Sequence, residues 1–188
     1  MEEKLAFLDE HYLSHFDYLD VDSVIQEQKA FGACRDVTLE YPVAENEGEE
    51  DNTYLSYNMV VGNAADSQMA MAFEVLDYAL LSAPGAPLKQ ALLDVKAGKD
   101  VYGSYDDGIL QPYFTVIAKG SNPDRKEEFV SVIRQVLGDI VKNGIDKKAV
   151  EAGINYFEFR YREADFSSYP KGLMYLSLIH ISEPTRRS

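Results

Sequence analysis

Proline and glycine punctuate residues 82–105, and their spacing constrains local structure more than any other feature of the chain. The Pro-Gly pair near the start of this segment predicts a turn that ends one helix, and Pro87 suits the first turn of a second, short helix. Gly98 is expected to end that short helix. Gly103 interrupts the strand-like run 101–105, where a missing side chain leaves room for a close neighbour. The segment therefore predicts a turn, a short helix and a glycine-containing strand, in that order.

This succession resembles a segment of the pitrilysin/insulinase-type zinc metallopeptidases, and flanking runs resemble the presequence-protease branch of that family. These runs are Glu74-Val-Leu-Asp-Tyr-Ala-Leu-Leu, Gln111-Pro-Tyr-Phe, Gly144-Ile-Asp and Glu158-Phe-Arg-Tyr-Arg-Glu. The resemblance covers about residues 7–175, as a match of pattern. It implies the end of the connector and the first domain of the C-terminal, non-catalytic half of such an enzyme, which encloses peptide substrates.

The resemblance also implies an inverted His-x-x-Glu-His zinc motif in the catalytic half, and this sequence contains no such motif. The nearest string pairs His11 with His15, and Ser14 stands where the catalytic glutamate would be. A serine cannot accept a proton from zinc-bound water at neutral pH as a carboxylate can. We therefore predict no catalytic residue, metal ligand or cofactor in this chain, and expect zinc in a missing catalytic domain. A degenerate zinc site at the two histidines is a weaker alternative.

Charge and composition restrict the classes of partner. With a net charge of −14, the chain should repel nucleic acid and anionic membranes, since neither gains counterion release at an acidic surface. The acidic run 45–51 is interpreted as a solvated loop, or alternatively as a surface that attracts basic peptides. No apolar run is long enough to span a bilayer or to form a signal peptide, and the single Cys34 fits a reducing compartment, so we expect a cytoplasmic location.

Hydrophobic periodicity predicts an α+β fold. Alternating apolar residues predict four strands, at residues 37–41, 55–61, 101–105 and 113–118. Helical spacing predicts three longer helices, at residues 66–81, 122–143 and 146–165. This order favours a two-layer sandwich, an antiparallel sheet with its helices on one face, preceded by a helical arm. No glycine-rich phosphate loop follows a strand, so nucleotide binding has little support.

Three segments follow from these patterns: a helical arm and connector at residues 1–35, a metallopeptidase-like associated domain at 36–175, and a tail at 176–188. The tail resembles a translated sequencing adapter, so we expect a truncated reading frame and a non-native tail. Surfaces that contact the missing domains of the parent peptidase would then be exposed. The expected apolar edge consists of Phe166, Tyr169 and Leu173.

These observations favour a non-catalytic fragment of a zinc-dependent metalloendopeptidase that degrades unstructured peptides. The resemblance implies two kinds of partner: the remaining domains of the parent enzyme and the peptide substrates. The alternative is a free-standing, non-enzymatic module that binds an extended peptide or another protein at the edge of its sheet. Backbone pairing requires no particular side chain, so the sequence leaves this alternative open.

Overall fold

A computed structural model describes residues 2–44, 48, 50–163, 170–174 and 176 of the chain. Its regular elements are, in chain order, α1 (Glu2–His11), β1 (Thr53–Val60), α2 (Ser67–Asp77), α3 (Pro87–Asp94), β2 (Asp100–Asp106), β3 (Tyr113–Ser121), α4 (Lys126–Asn143) and α5 (Lys147–Glu163). Short helical turns follow α1 and α2 and precede α4, at Leu13–His15, Tyr78–Ser82 and Pro123–Arg125. None of the described helices is both long and apolar enough to cross a membrane.

The strands form one antiparallel sheet in which β3 lies between β1 and β2. Lys119 of β3 marks the register, because it pairs with Tyr54 on one side and with Asp100 on the other. Side chains alternate between the two faces of such a sheet, so each strand buries every second residue. Helices pack against one face only. The predicted α+β class, with an antiparallel sheet and helices on one face, is confirmed.

The core lies between the sheet and the helices. Pro87 occupies the start of α3, where a missing N–H group costs nothing, and this helix buries Leu88 and Leu92 completely. The α4 helix contributes Phe129 and Ile133, which lie one turn apart on the same face. The inner face of the sheet supplies the opposing side chains, which are Leu55, Val101, Phe114, Val116 and Ala118.

Two glycines allow the backbone to approach its neighbours closely around β2. A Cβ atom on Gly103 would lie 2.7 Å from the carbonyl oxygen of Thr115 and would also collide with Leu81. The expected close approach at Gly103 is therefore present. The predicted role of Gly98 is wrong, because α3 already ends at Asp94. Gly98 lies four residues further on, where a Cβ atom would approach the carbonyl oxygen of Lys119 to 2.7 Å.

The α2 helix begins as predicted, and its core face continues into the helical turn that follows it. The Asp66 side chain caps it by accepting a hydrogen bond from the backbone N–H of Met69, at 3.0 Å. Met69, near the start of the helix, is 43% exposed, whereas Phe73 and Leu76 pack against the core. The buried face comprises Val75, Ala79, Leu80 and Leu81. A π-helical turn at the end of α2 shifts the register of the later residues, which the regular helical period does not anticipate.

The strand predicted at residues 37–41 is absent. Residues 37–44 form no ladder with β1, and Val37 and Leu39 are 72% and 84% exposed. An alternating pattern produces a strand only where the backbone pairs with a neighbouring strand and one face is covered, and residues 37–44 make no such pairing although the outer edge of β1 is free in the described sheet. Tyr41 of this segment contacts the body of the domain, because its hydroxyl donates to the carbonyl oxygen of Asn52 and its ring centroid lies 5.8 Å from that of Tyr54 in β1.

The two C-terminal helices are bounded as the sequence predicts. Gly144, with a φ of 83°, ends α4, and the Asp146 side chain accepts a hydrogen bond from the backbone N–H of Lys148 at the start of α5, at 3.0 Å. Of the expected apolar edge, Leu173 is 65% exposed, whereas residues 166 and 169 lie outside the described residues. Most of the expected tail also lies outside them.

Candidate functional site

The face of the sheet opposite the helices is open to solvent. Its side chains come from alternate positions of all three strands: Tyr54, Ser56, Asn58 and Val60 of β1, Asp100, Tyr102, Ser104 and Asp106 of β2, and Tyr113, Thr115, Ile117 and Lys119 of β3. We call this set the open face. Tyrosines, hydroxyls and amides dominate it, and Tyr54 and Tyr102 are 44% and 39% exposed.

Hydrogen bonds fix several side chains of the open face. The Tyr113 hydroxyl donates to a carboxylate oxygen of Asp106 at 3.0 Å, and this bond and the negative charge of Asp106 raise the pKa of Tyr113. In the next row, the Thr115 hydroxyl donates to the Asn58 amide oxygen, and the Asn58 amide nitrogen donates to Ser56 at 2.7 Å. These bonds hold the polar groups at set positions without covering the aromatic rings.

One end of the acidic run is part of the folded structure. The backbone N–H of Asp51 donates to the Asn122 side chain at 2.9 Å, and the Asn122 amide donates back to the Asp51 carboxylate at 2.8 Å. Lys99 approaches that carboxylate to 3.2 Å. The hydrogen bond from Asn122, followed by the interactions with Lys99, lowers the pKa of Asp51. Asp51 therefore joins the start of β1 to the end of β3, whereas residues 45–47 and 49 lie outside the described residues.

A second set of titratable groups lies on the helix side of the sheet, where α2 packs against α5 and against β2. The Tyr161 hydroxyl donates to Glu74 at 2.9 Å, and burial raises the pKa of both groups. One turn along α2, Oδ1 of Asp77 is enclosed and accepts no hydrogen bond from the described residues. Burial raises the pKa of Asp77 to about 6. Sequence reasoning missed this pair, although two carboxylates between the apolar residues of one helix were a visible signal.

The histidines are not arranged as zinc ligands. His11 is the last residue of α1, and His15 belongs to the short helical turn that follows, so the two imidazoles do not share one continuous α-helical face. Both are exposed, and the Ser14 hydroxyl donates to the carbonyl oxygen of Glu10 at 3.2 Å. In the part of the chain that the structure describes, no three His, Cys, Asp or Glu side chains are grouped to hold a metal ion. The residues present therefore do not fit a zinc site.

Fold and surface together define a class of protein. The described residues form a two-layer α+β domain with one open sheet face, an exposed N-terminal arm and, within those residues, no set of metal ligands. A family model described as the Peptidase M16 inactive domain matches residues 3–157. Because the match covers most of the chain, this chain belongs to that family, and the resemblance stated from the sequence is confirmed.

Curated relatives agree with this assignment. Protein HypA of Clostridium perfringens is 44% identical over 174 residues, which are 93% of this chain and 18% of HypA. Presequence protease 1 of Arabidopsis thaliana, a chloroplastic and mitochondrial protein, is 29% identical over 167 residues, which are 84% of this chain and 16% of that protein. The chain thus spans less than a fifth of each of these relatives.

Solved structures share the fold. The inactive peptidase domain of a Bordetella parapertussis protein assigned as a zinc protease aligns with a TM-score of 0.56 at 12% identity, over 67% of this chain and 68% of that domain. A second protein with that assignment, from Bordetella pertussis Tohama I, gives a TM-score of 0.54 at 14% identity, over 69% and 71% of the two chains. At these identities the similarity concerns the fold alone.

Proposed function

We propose that this chain is a non-catalytic domain of a longer zinc metalloendopeptidase that degrades unstructured peptides, and that its open face forms part of the wall of the substrate chamber. In this proposal the zinc and the catalytic residues belong to another domain of the same enzyme. The observation that carries it is the open face itself, a sheet surface of one M16 inactive domain that no described helix covers.

The chemistry of the open face suits an unstructured peptide. Exposed tyrosine rings offer contact area to side chains of many kinds, and nearby hydroxyl and amide groups bond a peptide main chain without reading its sequence. Tyr54 and Tyr102 supply such rings, and Ser56, Asn58 and Ser104 supply such polar groups. A surface of this kind restrains many peptides weakly, which is what a chamber wall requires.

Net charge adds a long-range contribution. The chain carries a net charge of −14, so it should attract basic peptides toward the chamber before they make contact. Such steering weakens as salt is added, because exposed charges are screened beyond about 10 Å at 0.1 M ionic strength. Lowering the salt concentration should therefore speed the capture of basic peptides by the longer enzyme. An unchanged rate would remove this part of the proposal.

Contacts with the remaining domains are proposed for the arm and for α5. Large apolar side chains on the arm are exposed, among them Leu5, Phe7, Leu13, Phe16 and Leu19. Phe159 on α5 is 63% exposed as well. Exposed apolar residues at this density are typical of surfaces that pack against another domain.

Site-specific cross-linking in the longer enzyme tests the chamber-wall proposal. A photo-reactive phenylalanine analogue replaces Tyr102 on the open face, and a matched control replaces Val141, which is 85% exposed on α4 in the helix layer. With a catalytically inactive variant and a labelled basic peptide, we expect a peptide adduct at position 102 and none at position 141. Equal adducts at both positions, or none at position 102, would contradict the proposal.

The alternative, a free-standing module that binds extended peptides, rests on a different observation. In the described sheet β1 is an edge strand, and one row of its backbone groups is unpaired with the other two strands. Exposed edges of this kind accept an added strand through main-chain bonds. Peptide binding to the isolated chain at micromolar affinity, measured by calorimetry, would favour the module. Binding only in the context of the longer enzyme would favour the chamber wall.

A further inference from the structure

A side chain at the start of β3 bonds the backbone of the N-terminal connector. The backbone N–H of Gln28 donates to Oε1 of Gln111 at 2.6 Å, and Nε2 of Gln111 donates back to the carbonyl oxygen of Gln28 at 3.1 Å. Beside this pair, the Asn63 amide donates to the Glu27 carboxylate at 2.7 Å. Three hydrogen bonds thus join the connector to the body of the domain across long sequence separations.

The amide side chains of Gln111 and Asn63 lie on two segments that are bonded to each other, and we call these two segments the platform. Backbone bonds from Val61 to Pro112, at 2.8 Å, and from Ala64 to Leu110, at 3.0 Å, join the segment after β1 to the segment before β3. Pro112, which directly follows Gln111, is among the largest fully buried residues. The platform therefore exists independently of the connector that it contacts.

A primary carboxamide presents one acceptor and one donor side by side, as the C=O and N–H of one residue in a neighbouring antiparallel strand do. We propose that Gln111 forms a binding site for the main chain of an extended segment, that Asn63 beside it holds an acceptor side chain of the same segment, and that Glu27 and Gln28 of the connector are the occupant. Gln111 bonds only backbone atoms of Gln28, so this half of the site does not select a side chain. Asn63 adds a preference for an acceptor side chain at the preceding position.

Occupancy of this site fixes the course of the connector. Further along, the connector is tied again by the ion pair between Asp36 and Lys126, which begins α4. The contact at Gln111 lies beside the end of β1, and the ion pair between Asp36 and Lys126 lies beside the end of β3. The segment between these two contacts therefore runs from one end of the sheet to the other.

Ile25 precedes the contact at Gln111 and is 75% exposed. Phe31 lies between the two contacts and is 51% exposed. The site therefore holds these two apolar side chains at set positions on the surface, and the Arg35 guanidinium lies 3.8 Å from the centroid of the Phe31 ring.

Trypsin cleavage after Lys29 of the whole chain tests the proposal, because Lys29 adjoins the bound residue and must leave the site to enter a protease. Gln111→Ala should accelerate cleavage about fivefold, the ratio that loss of roughly one net hydrogen bond produces. Gln28→Pro removes the donated N–H group and should have the same effect without any change in the body. Gln28→Ala keeps every backbone group and loses only the local bond from its own Nε2 to the carbonyl oxygen of Lys29, at 3.0 Å, so its cleavage rate should change much less than that of Gln28→Pro.

Two controls separate the site from other effects. Gln135→Ala changes an exposed glutamine on α4 and should leave the rate unchanged. Each rate is divided by that of a free peptide spanning residues 22–34 with the same substitution, which removes any direct effect on the protease. Equal corrected rates for the parent, Gln111→Ala and Gln28→Pro would overturn the proposal. Cleavage of Gln28→Ala accelerated as much as that of Gln28→Pro would also overturn it, because the site would then depend on the glutamine side chain of the occupant.

Discussion

Asp77→Asn is expected to stabilise the fold at neutral pH. The Asp77 carboxylate has an enclosed oxygen that accepts no hydrogen bond from the described residues, and burial raises its pKa from 3.8 to about 6. One pKa unit corresponds to about 1.4 kcal/mol, so this difference sets an upper limit of roughly 3 kcal/mol on the free energy that the charged Asp77 carboxylate costs the folded state. Because Asp77 is only half-buried, solvent screens part of that cost. We expect a gain of about 1–2 kcal/mol in the free energy of unfolding.

The sign of the pH dependence follows from the raised pKa. Between the unfolded value of 3.8 and the folded value of about 6, the folded chain binds a proton at Asp77 more readily than the unfolded chain does. This residue therefore favours folding increasingly as the pH falls through that window, and its cost is fully present above it. Asparagine does not titrate, so the gain of Asp77→Asn over the parent in the free energy of unfolding should fall to about half as the pH falls from 7.5 to 5.

Urea unfolding followed by circular dichroism, at pH 7.5 and at pH 5, measures both effects. Asp139→Asn on the exposed surface of α4 makes the same chemical change outside the α2–β2 contact and serves as the control. The reasoning is refuted if Asp77→Asn destabilises the chain at pH 7.5. It is also refuted if the difference between variant and parent is the same at both pH values.

Four further outcomes follow from the same contacts. Gly103→Ala should cost about 3 kcal/mol or more, because its Cβ atom would overlap the carbonyl oxygen of Thr115, and thermal unfolding would show the loss. Tyr161→Phe should cost about 1 kcal/mol at pH 7 in urea unfolding, since Glu74 loses its donor, and an unchanged midpoint would count against that bond. Calorimetric zinc titration should give the same weak heat for the parent and for His11→Ala. The isolated chain should self-associate through its exposed apolar side chains, and a monodisperse monomer in sedimentation would argue against this.

Local signals predicted the fold well because proline and glycine act on their own backbone. Pro87 begins a helix, Gly144 ends one with a positive φ, and Asp66 caps one, and each effect needs only the nearest residues. The order of the elements then favoured a sheet with helices on one face. The α+β class could therefore be predicted before any tertiary contact was known.

Features that depend on a distant partner were beyond the sequence pattern. The alternation at residues 37–41 is a property of the chain alone, whereas a strand also requires an edge that accepts it. The bond between Gln28 and Gln111 spans 83 residues, and neither glutamine differs in sequence from a surface residue. Asp77 was signalled only in part, because its place among apolar residues of a helix is visible in the sequence, whereas its raised pKa depends on how tightly β2 packs against α2 at Gly103.

The composition of the open face indicates what kind of contact this surface makes. A face that stays buried against another domain is usually rich in aliphatic residues, and a face that only meets water is usually charged. Here the central row across the sheet consists of Ser56, Ile117 and Tyr102, and the next row consists of Asn58, Thr115 and Ser104. Polar groups bonded to one another beside accessible tyrosine rings tolerate both water and a transient peptide. This mixture favours a surface that is alternately wet and occupied, as the wall of a peptide chamber would be.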